Sequence, residues 1–230
     1  MPQNKSLIIM IDASGSMATR GRNDAVNIAM ERLKDDVFDK ATIPADLNIT
    51  IRVLKFQGDE QTGYRIAWVI GNENDGVALN RYSWMHMSQS DFADGTPTGK
   101  AVMEVTKCLY QNGESADPNQ VAPAIILISD GESNGEPTLT RAIADANAMK
   151  VGLEKEGLFK RALRAAIGIN VDPAGRTELQ GFGRLSKSMR NKVQAYYDCT
   201  DNDLDGLRQI LSSLTMGFTE APANQDEDIY

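Results

Sequence analysis

Residues 7–12 have the sequence Leu-Ile-Ile-Met-Ile-Asp, and residues 13–16 continue with Ala-Ser-Gly-Ser. Five apolar residues in a row, ended by an aspartate and a turn-rich segment, predict a strand that is buried on both faces, as in a parallel sheet. A second run of this kind, Ala124 to Ile128, ends in Ser129-Asp130-Gly131. The two runs therefore predict two strands in the interior of one sheet.

Helical and strand patterns alternate through the rest of the chain. Apolar spacing predicts helices over 23–38, 97–110, 138–156, 176–188 and 204–216, and strands over 47–56, 64–70, 162–169 and 193–197. The short link 57–63 predicts a hairpin, and 71–93 is predicted to be loop with room for one short helix. We expect a doubly wound, mostly parallel six-stranded α/β sheet with one antiparallel edge strand and helices on both faces. This fold is predicted to form one domain over residues 1–218, followed by an acidic, disordered tail over 219–230.

Composition and charge argue against several classes of function. The 230-residue chain carries 24 Lys and Arg against 32 Asp and Glu, and its net charge of −8 does not suit nucleic-acid binding, because phosphates need a basic surface. No stretch approaches the roughly 20 apolar residues of a membrane span. Two cysteines without Cys-x-x-Cys spacing and a single histidine leave little material for a zinc site or a Ser-His-Asp triad. We expect a cytoplasmic protein with no membrane or nucleic-acid partner.

The Asp12-Ala-Ser14-Gly-Ser16 turn offers one carboxylate and two hydroxyls at alternate positions. These are hard oxygen donors, which suit Mg²⁺ or Mn²⁺ better than zinc. Gly15 allows the turn to bring both hydroxyls towards one point. Capping of the following helix by the serines is a simpler interpretation, and it stays open on these residues alone.

Two further segments carry oxygen donors. In Asp94-Gly-Thr-Pro-Thr-Gly-Lys100, Thr96 offers a hydroxyl to a metal and Thr98 offers a cap to the next helix, although the two could exchange roles. The segment matches a phosphate-binding P-loop poorly, since that motif needs one more residue between its glycines and a Ser or Thr after its lysine. Asp130 places a second carboxylate after a strand, where a solvated turn aspartate would also be common.

Taken together and in this order, the three segments resemble the metal-ion-dependent adhesion site (MIDAS) of von Willebrand factor A (vWA) domains. The shared features are a D-x-S-x-S turn after the first strand, a Gly-Thr loop before a middle helix and an Asp-Gly after a central strand. The resemblance covers about residues 5–216 and includes the early hairpin. Within that family the chain is similar to the bacterial TerY-like branch of tellurium-resistance and stress-response proteins.

The resemblance implies a set of ligands and a function. Ser14, Ser16 and Thr96 would supply hydroxyls to one ion, Mg²⁺, Mn²⁺ or Ca²⁺, while Asp12 and Asp130 would act directly or through water. Sites of this family leave one coordination position for a carboxylate of a partner protein. Two carboxylates and three neutral hydroxyls leave the ion under-neutralised, so an external Asp or Glu would complete both charge and coordination. We therefore expect a non-enzymatic interaction module that works in a stress response.

Two other functions remain open. A phosphoryl-transfer enzyme would use Asp12 as its nucleophile, but haloacid-dehalogenase-type phosphatases need a second aspartate two residues later, where Ser14 stands. A module that binds no metal would serve only as a scaffold.

Four more residues are predicted to line the partner surface: Trp84, His86, Thr98 and Glu132. Trp84 and His86 lie in the loop before Thr96, and aromatic residues are favoured at interfaces. Core packing of the loop residues is equally compatible with the sequence, and plain solvent exposure is the favoured interpretation for Glu132. The tail segment Asp226-Glu-Asp228 is a source of carboxylates that could bind the metal of a neighbouring molecule.

Overall fold

Strands and helices alternate along the chain, which the computed structural model describes over residues 3–19, 21–111, 121–131, 133–151 and 155–221. The strands are β1 (Gln3–Asp12), β2 (Leu47–Gln57), β3 (Arg65–Ile70), β4 (Val77–Ala78), β5 (Ala124–Ser129), β6 (Lys150–Val151), β7 (Lys155–Glu156), β8 (Leu163–Ile169) and β9 (Tyr196–Cys199). The helices are α1 (Arg22–Leu33), α2 (Thr98–Gln111), α3 (Leu139–Ala148), α4 (Leu158–Arg161), α5 (Pro173–Phe182) and α6 (Leu204–Glu220).

The main sheet has the strand order β3-β2-β1-β5-β8-β9. The neighbours from β2 to β9 pair in parallel, and β3 pairs antiparallel with β2 at the edge. The predicted doubly wound, mostly parallel α/β sheet is confirmed. The structure adds the short strand β4, which pairs antiparallel with Thr50 and Ile51 of β2 inside the segment predicted to be loop.

Strand β1 is buried on both faces because two layers of helices cover the sheet. Leu7, Ile9 and Ile11 belong to one hydrophobic core and Ile8 and Met10 to the other. The first core includes the apolar faces of α1 and α6, and the second includes those of α2, α3 and α5. An unbroken apolar run is what such a double-sided environment requires.

The predicted helix over residues 138–156 is shorter in the structure. α3 ends at Ala148, and Met149 has an extended conformation with ψ 132°. The chain then forms the two-residue pair β6–β7, and Gly157 N donates to the Met149 carbonyl at 3.1 Å. Within α3 the buried residues are Leu139, Ala142 and Ala146, which lie at helical spacing.

The predicted helix over 176–188 begins and ends earlier. α5 starts at Pro173 because Asp172 caps it, with Asp172 Oδ1 accepting from Gly175 N at 2.8 Å, and proline suits a first helical turn. It ends at Phe182.

Two further predicted elements have different bounds in the structure. The last strand, predicted over 193–197, covers Tyr196–Cys199, the residues that pair with β8. The predicted helix over 23–38 is α1 followed by a π-helical turn over Lys34–Phe38.

The last helix is longer than the helix predicted over 204–216. α6 continues to Glu220, and Thr219 is buried within it. Lys5 of β1 explains the extension, since its Nζ donates to the Phe218 carbonyl at 2.7 Å and so satisfies a backbone group at the helix end. The segment Asp226-Glu-Asp228 lies outside the described residues.

Among the helices of the described ranges, none has the length and apolar character that crossing a lipid bilayer would require.

Candidate metal site

Two carboxylates meet where β1 and β5 end. Asp12 is the last residue of β1, and Asp130 follows β5 directly. The strands are parallel neighbours with Ile11 opposite Ile128, so their carboxyl ends lie at the same edge of the sheet. In open α/β sheets this edge is the usual place for ligands.

The two turn serines face Asp130. Ser14 Oγ and Ser16 Oγ are 3.1 Å apart, and Asp130 Oδ1 accepts from Ser16 Oγ at 2.9 Å and from Ser14 Oγ at 3.3 Å. Ser14 occupies the N-cap position of the short 3₁₀ helix Gly15–Ala18 but makes no side-chain capping bond there. The structure therefore favours convergence of the hydroxyls on Asp130 over the capping interpretation.

The spacing of these three oxygens suits a small divalent cation. An ion with bonds of about 2.1 Å in an octahedron has neighbouring ligand oxygens about 3 Å apart. The separations of 2.9, 3.1 and 3.3 Å are close to that value. Clusters of three or more His, Cys, Asp or Glu are absent from the described part of the chain, so the fit depends on hydroxyl donors as well as carboxylates.

Asp12 is fully buried behind the serines and is held through both oxygens. Its Oδ1 accepts from Ser14 N at 2.8 Å, and its Oδ2 accepts from Ser129 Oγ at 2.6 Å. Burial, and next the negative charge of Asp130, raise the pKa of Asp12 to about 7, while the bonds from Ser129 and Ser14 lower it. A cation beside the two carboxylates would lower this pKa, because its positive charge favours the ionised form of Asp12.

Ser129 was not among the predicted site residues. It lies directly beside Asp12 because β1 and β5 pair in parallel, with Ile11 opposite Ile128 one residue earlier on each strand. The sequence places a hydroxyl before Asp130, but only the register of the two strands shows that this hydroxyl orients Asp12.

Thr96 and Thr98 have different surroundings. Thr96 Oγ1 lies 4.0 Å from the position that a side-chain carbon would take on Gly131, the residue that follows Asp130. Asn134 fixes the Thr96 loop, since Thr96 N donates to Asn134 Oδ1 and Asn134 N donates to the Thr96 carbonyl, both at 2.9 Å. The Thr98 hydroxyl points to the Thr96 carbonyl at 3.5 Å, and Thr98 is only 1% exposed. Of the two threonines, Thr96 is the better placed to reach an ion.

Gly15 keeps the turn small because another loop approaches it closely. A side-chain carbon at Gly15 would come within 2.7 Å of Asp94 Oδ1. The backbone also joins the two loops, since Ala93 N donates to the Ala13 carbonyl at 3.1 Å. The absence of a side chain at Gly15 therefore allows Asp94 to approach the turn closely.

A buried arginine that was not among the predicted site residues contacts the site. Arg22, the first residue of α1, donates through Nη1 to Asp130 Oδ2. The same guanidinium donates through Nε to Asp201 Oδ1 at 2.6 Å and through Nη2 to Asp201 Oδ2 at 2.9 Å. The hydrogen bond to Asp201 is the largest of the causes that raise the pKa of Arg22 above its ordinary value. No sequence signal pairs Arg22 with Asp130 or Asp201, because the three residues lie on separate elements.

Trp84 and His86, predicted to line a partner surface, are both tied to α1. Trp84 Nε1 donates to Asn27 Oδ1 at 3.1 Å, and its side chain packs against the core. His86 Nε2 lies 3.4 Å from Glu31, and both side chains are about half exposed. Met85, which lies between them, is 84% exposed.

The burial of Thr98 does not favour contact with a partner. Glu132, the fourth residue predicted for that surface, lies outside the described residues.

No protein-family model matches the chain, and no curated protein matches it. Solved structures do match its fold. Proximal thread matrix protein 1 (PTMP1) from the mussel byssus, with a zinc-occupied MIDAS motif, has a TM-score of 0.53 and 14% identity over 94% of this chain and 48% of its own. The pilus adhesin SpaC from Lactobacillus rhamnosus GG has a TM-score of 0.54 and 15% identity over 93% of this chain and 31% of its own. The vWF domain of the type V pili tip protein Mfa5 from Porphyromonas gingivalis has a TM-score of 0.52 and 10% identity over 95% and 97%.

The chain thus spans about half of PTMP1 and less than a third of SpaC, but nearly all of the Mfa5 domain. Identities this low show likeness of fold alone. The sheet order and the helices on both faces are those of a vWA-like, Rossmann-like α/β fold.

Proposed function

We propose that this chain is a protein-interaction module that binds one divalent cation and uses it to hold a carboxylate of another protein. Ser14, Ser16, Thr96, Asp12 and Asp130 are the proposed metal-binding residues. The ion would supply a positive centre beyond the sheet edge, and the partner's Asp or Glu would complete its charge and coordination.

The observation that carries this proposal is the convergence of three oxygens from two distant segments. Ser14 Oγ, Ser16 Oγ and Asp130 Oδ1 lie 2.9 to 3.3 Å from one another at the carboxyl edge of the sheet. Asp12, directly behind them, is oriented through both of its oxygens. In this arrangement the two serines and Asp130 would contact the ion. Asp12 would orient the serine turn through its bond from Ser14 N, or would bind the ion through a water molecule.

The compared structures support the same class of function. One of them carries a zinc-occupied MIDAS motif, and two others are a pilus adhesin and a pilus tip domain. A metal-occupied motif and a role in adhesion therefore each occur on this fold, although in different proteins.

The finer assignments are also proposals. Mg²⁺ is the proposed ion because the donors are hard oxygens. A TerY-like stress response is proposed from the resemblance of the sequence motifs. A cytoplasmic location is proposed because Cys108 and Cys199 are buried thiols, which suit a reducing compartment. Cell fractionation and growth under tellurite of a strain that lacks the protein would test both.

The metal claim is tested by calorimetric titration of Mg²⁺ and Mn²⁺ into the wild type and into Ser14→Ala and Ser16→Ala. We expect binding to the wild type and affinities at least about tenfold weaker in the two variants. Ser88→Ala is the matched control, because Ser88 Oγ donates to Asp91 Oδ2 at the same 2.9 Å that separates Ser16 from Asp130. Wild-type protein that binds no metal at millimolar concentration would leave only a metal-free scaffold.

The partner claim is tested by capture from the source cell with and without a chelator. Partners that are lost with chelator, and with Ser16→Ala but not with Ser88→Ala, would support a metal bridge. Equal capture under all conditions would refute it.

The structure does not favour the alternative of a phosphoryl-transfer enzyme. Asp12, the required nucleophile, is fully buried, and each of its oxygens already accepts a hydrogen bond. Assay of a generic phosphoester with wild type and Asp12→Ala is the direct test of this alternative.

A further inference from the structure

A positive charge belonging to the protein lies beside the proposed metal site. The Arg22 side chain is 7% exposed and that of Asp130 is 1% exposed, and their ion pair is therefore shielded from water. A guanidinium stays protonated at every physiological pH, so this charge is permanent.

The two oxygens of Asp130 have different roles in this arrangement. Oδ1 faces the two serine hydroxyls, while Oδ2 accepts from Arg22. A cation held by Oδ1 would therefore share its carboxylate with a resident cation. Charges this close repel strongly when they are not separated by water.

Asp201 draws the same guanidinium in the opposite direction. It takes two of the arginine N–H groups, at 2.6 and 2.9 Å, from the loop between β9 and α6. Its negative charge offsets part of the positive charge that acts on Asp130. The electrostatic repulsion that a bound metal ion would experience therefore depends on the positive charge of Arg22 and on how much of it the negative charge of Asp201 offsets.

We propose that Arg22 sets the metal affinity of this site, acting as a permanent electrostatic competitor for Asp130 that Asp201 partly neutralises. The inference rests on the proposed function, and it concerns the strength of metal binding, not its existence. Arg22 is a tuning and positioning residue, which contacts the proposed ligand Asp130 and not the ion.

The test is the dissociation constant for Mn²⁺, measured by calorimetry at fixed ionic strength for the wild type, Arg22→Gln and Asp201→Asn. Arg22→Gln keeps a hydrogen-bond donor for Asp130 and removes the charge, and we expect it to bind on the order of tenfold tighter. Asp201→Asn removes the counter-charge, and we expect it to bind several-fold more weakly. Opposite shifts are the signature of electrostatic tuning, because damage to a merely structural ion pair would weaken binding in both variants.

A second ion pair in the chain provides matched controls. Arg208 of α6 holds Asp36 with two bonds, at 2.7 and 3.0 Å, outside the proposed site. Arg208→Gln and Asp36→Asn should leave the dissociation constant unchanged. Thermal unfolding without metal checks that each variant folds. If Arg22→Gln does not fold, the test uses Arg22→Lys and Asp201→Asn. Arg22→Lys keeps the charge, so we expect its dissociation constant to stay within about threefold of the wild-type value.

The outcomes separate this inference from the function on which it rests. Metal binding by the wild type with no tightening in Arg22→Gln, or no weakening in Asp201→Asn, would overturn the role of Arg22 and leave the metal site intact. Binding only by Arg22→Gln would support the competition. Absence of binding in every variant would overturn both.

Discussion

Replacing Asp12 with asparagine is expected to stabilise the metal-free protein at neutral pH, although it removes a proposed metal-binding residue. Burial and the charge of Asp130 raise the pKa of Asp12 from 3.8 to about 7 in the folded chain. The folded state therefore holds a proton that the unfolded chain releases near pH 4. The stability linked to this proton is fully present below pH 3.8 and is lost as the pH rises through about 7.

The size of the effect follows from that pKa difference. A shift from 3.8 to about 7, at 1.36 kcal/mol for each pKa unit, corresponds to about 4 kcal/mol above pH 7. The amide keeps an acceptor for Ser14 N, and the Ser129 hydroxyl can turn to accept from the new amide nitrogen. The bonds from Ser129 and Ser14 to the ionised carboxylate are already included in that pKa. An amide N–H that finds no acceptor in this buried place offsets about 1–3 kcal/mol. We therefore expect a net gain of about 1–3 kcal/mol at pH 8.

The assay is urea unfolding in the presence of a chelator at pH 5, 6, 7 and 8. The difference between Asp12→Asn and wild type should grow with pH and level off above pH 7. A gain that does not change with pH, or a loss of stability at pH 8, would refute the assignment of a buried, destabilised carboxylate at position 12.

Asp91→Asn provides a control of opposite sign in the same assay. The hydrogen bond from Lys55 is the largest of the causes that lower the pKa of Asp91 to about 2. The stability that Asp91 contributes is therefore present above its unfolded pKa and lost as the pH falls through about 2. Asp91→Asn should lose stability at neutral pH, where Asp12→Asn gains it.

Three further predictions concern ligand choice, packing and linkage. Thr96→Ala should weaken Mg²⁺ binding by at least about tenfold in calorimetry. Thr98→Ala should keep the affinity and lose about 0.5–1 kcal/mol of stability, because the buried Thr98 hydroxyl donates to the Thr96 carbonyl; the reverse pattern would exchange their roles. Tyr82→Phe should cost about 1–2 kcal/mol in urea unfolding, because the buried Tyr82 hydroxyl donates to the Met30 carbonyl at 2.7 Å; unchanged stability would show that this carbonyl finds another donor. Mg²⁺ at 100 times the wild-type dissociation constant should add about 2.7 kcal/mol to the free energy of unfolding of the wild type. Ser16→Ala, which is expected to bind at least about tenfold more weakly, should gain no more than about 1.4 kcal/mol at the same concentration. A chelator should reverse both gains, and equal gains in the two proteins would place the ion elsewhere.

Much of the fold followed from sequence patterns that depend on neighbouring residues. The run from Leu7 to Ile11 predicted a strand buried on both faces, and the link 57–63 predicted the hairpin that makes β3 an antiparallel edge. The end of α3 at Ala148 was not predictable in this way, because Met149 is fixed by a bond from Gly157 after the chain has turned back. β4 was missed for a similar reason, since two residues carry no periodic pattern and become a strand only by pairing with β2.

The same distinction between sequence and tertiary structure applies to the proposed site. The sequence by itself determined the donors, because the positions of Asp12, Ser14, Ser16 and Asp130 after two apolar runs are local features of the chain. Only the tertiary structure decided that these oxygens lie about 3 Å apart, since that distance depends on β1 and β5 being parallel neighbours. It also decided the electrostatics, because Arg22 reaches Asp130 across the fold, and the energy of two charges depends on their separation in space and on the water excluded between them.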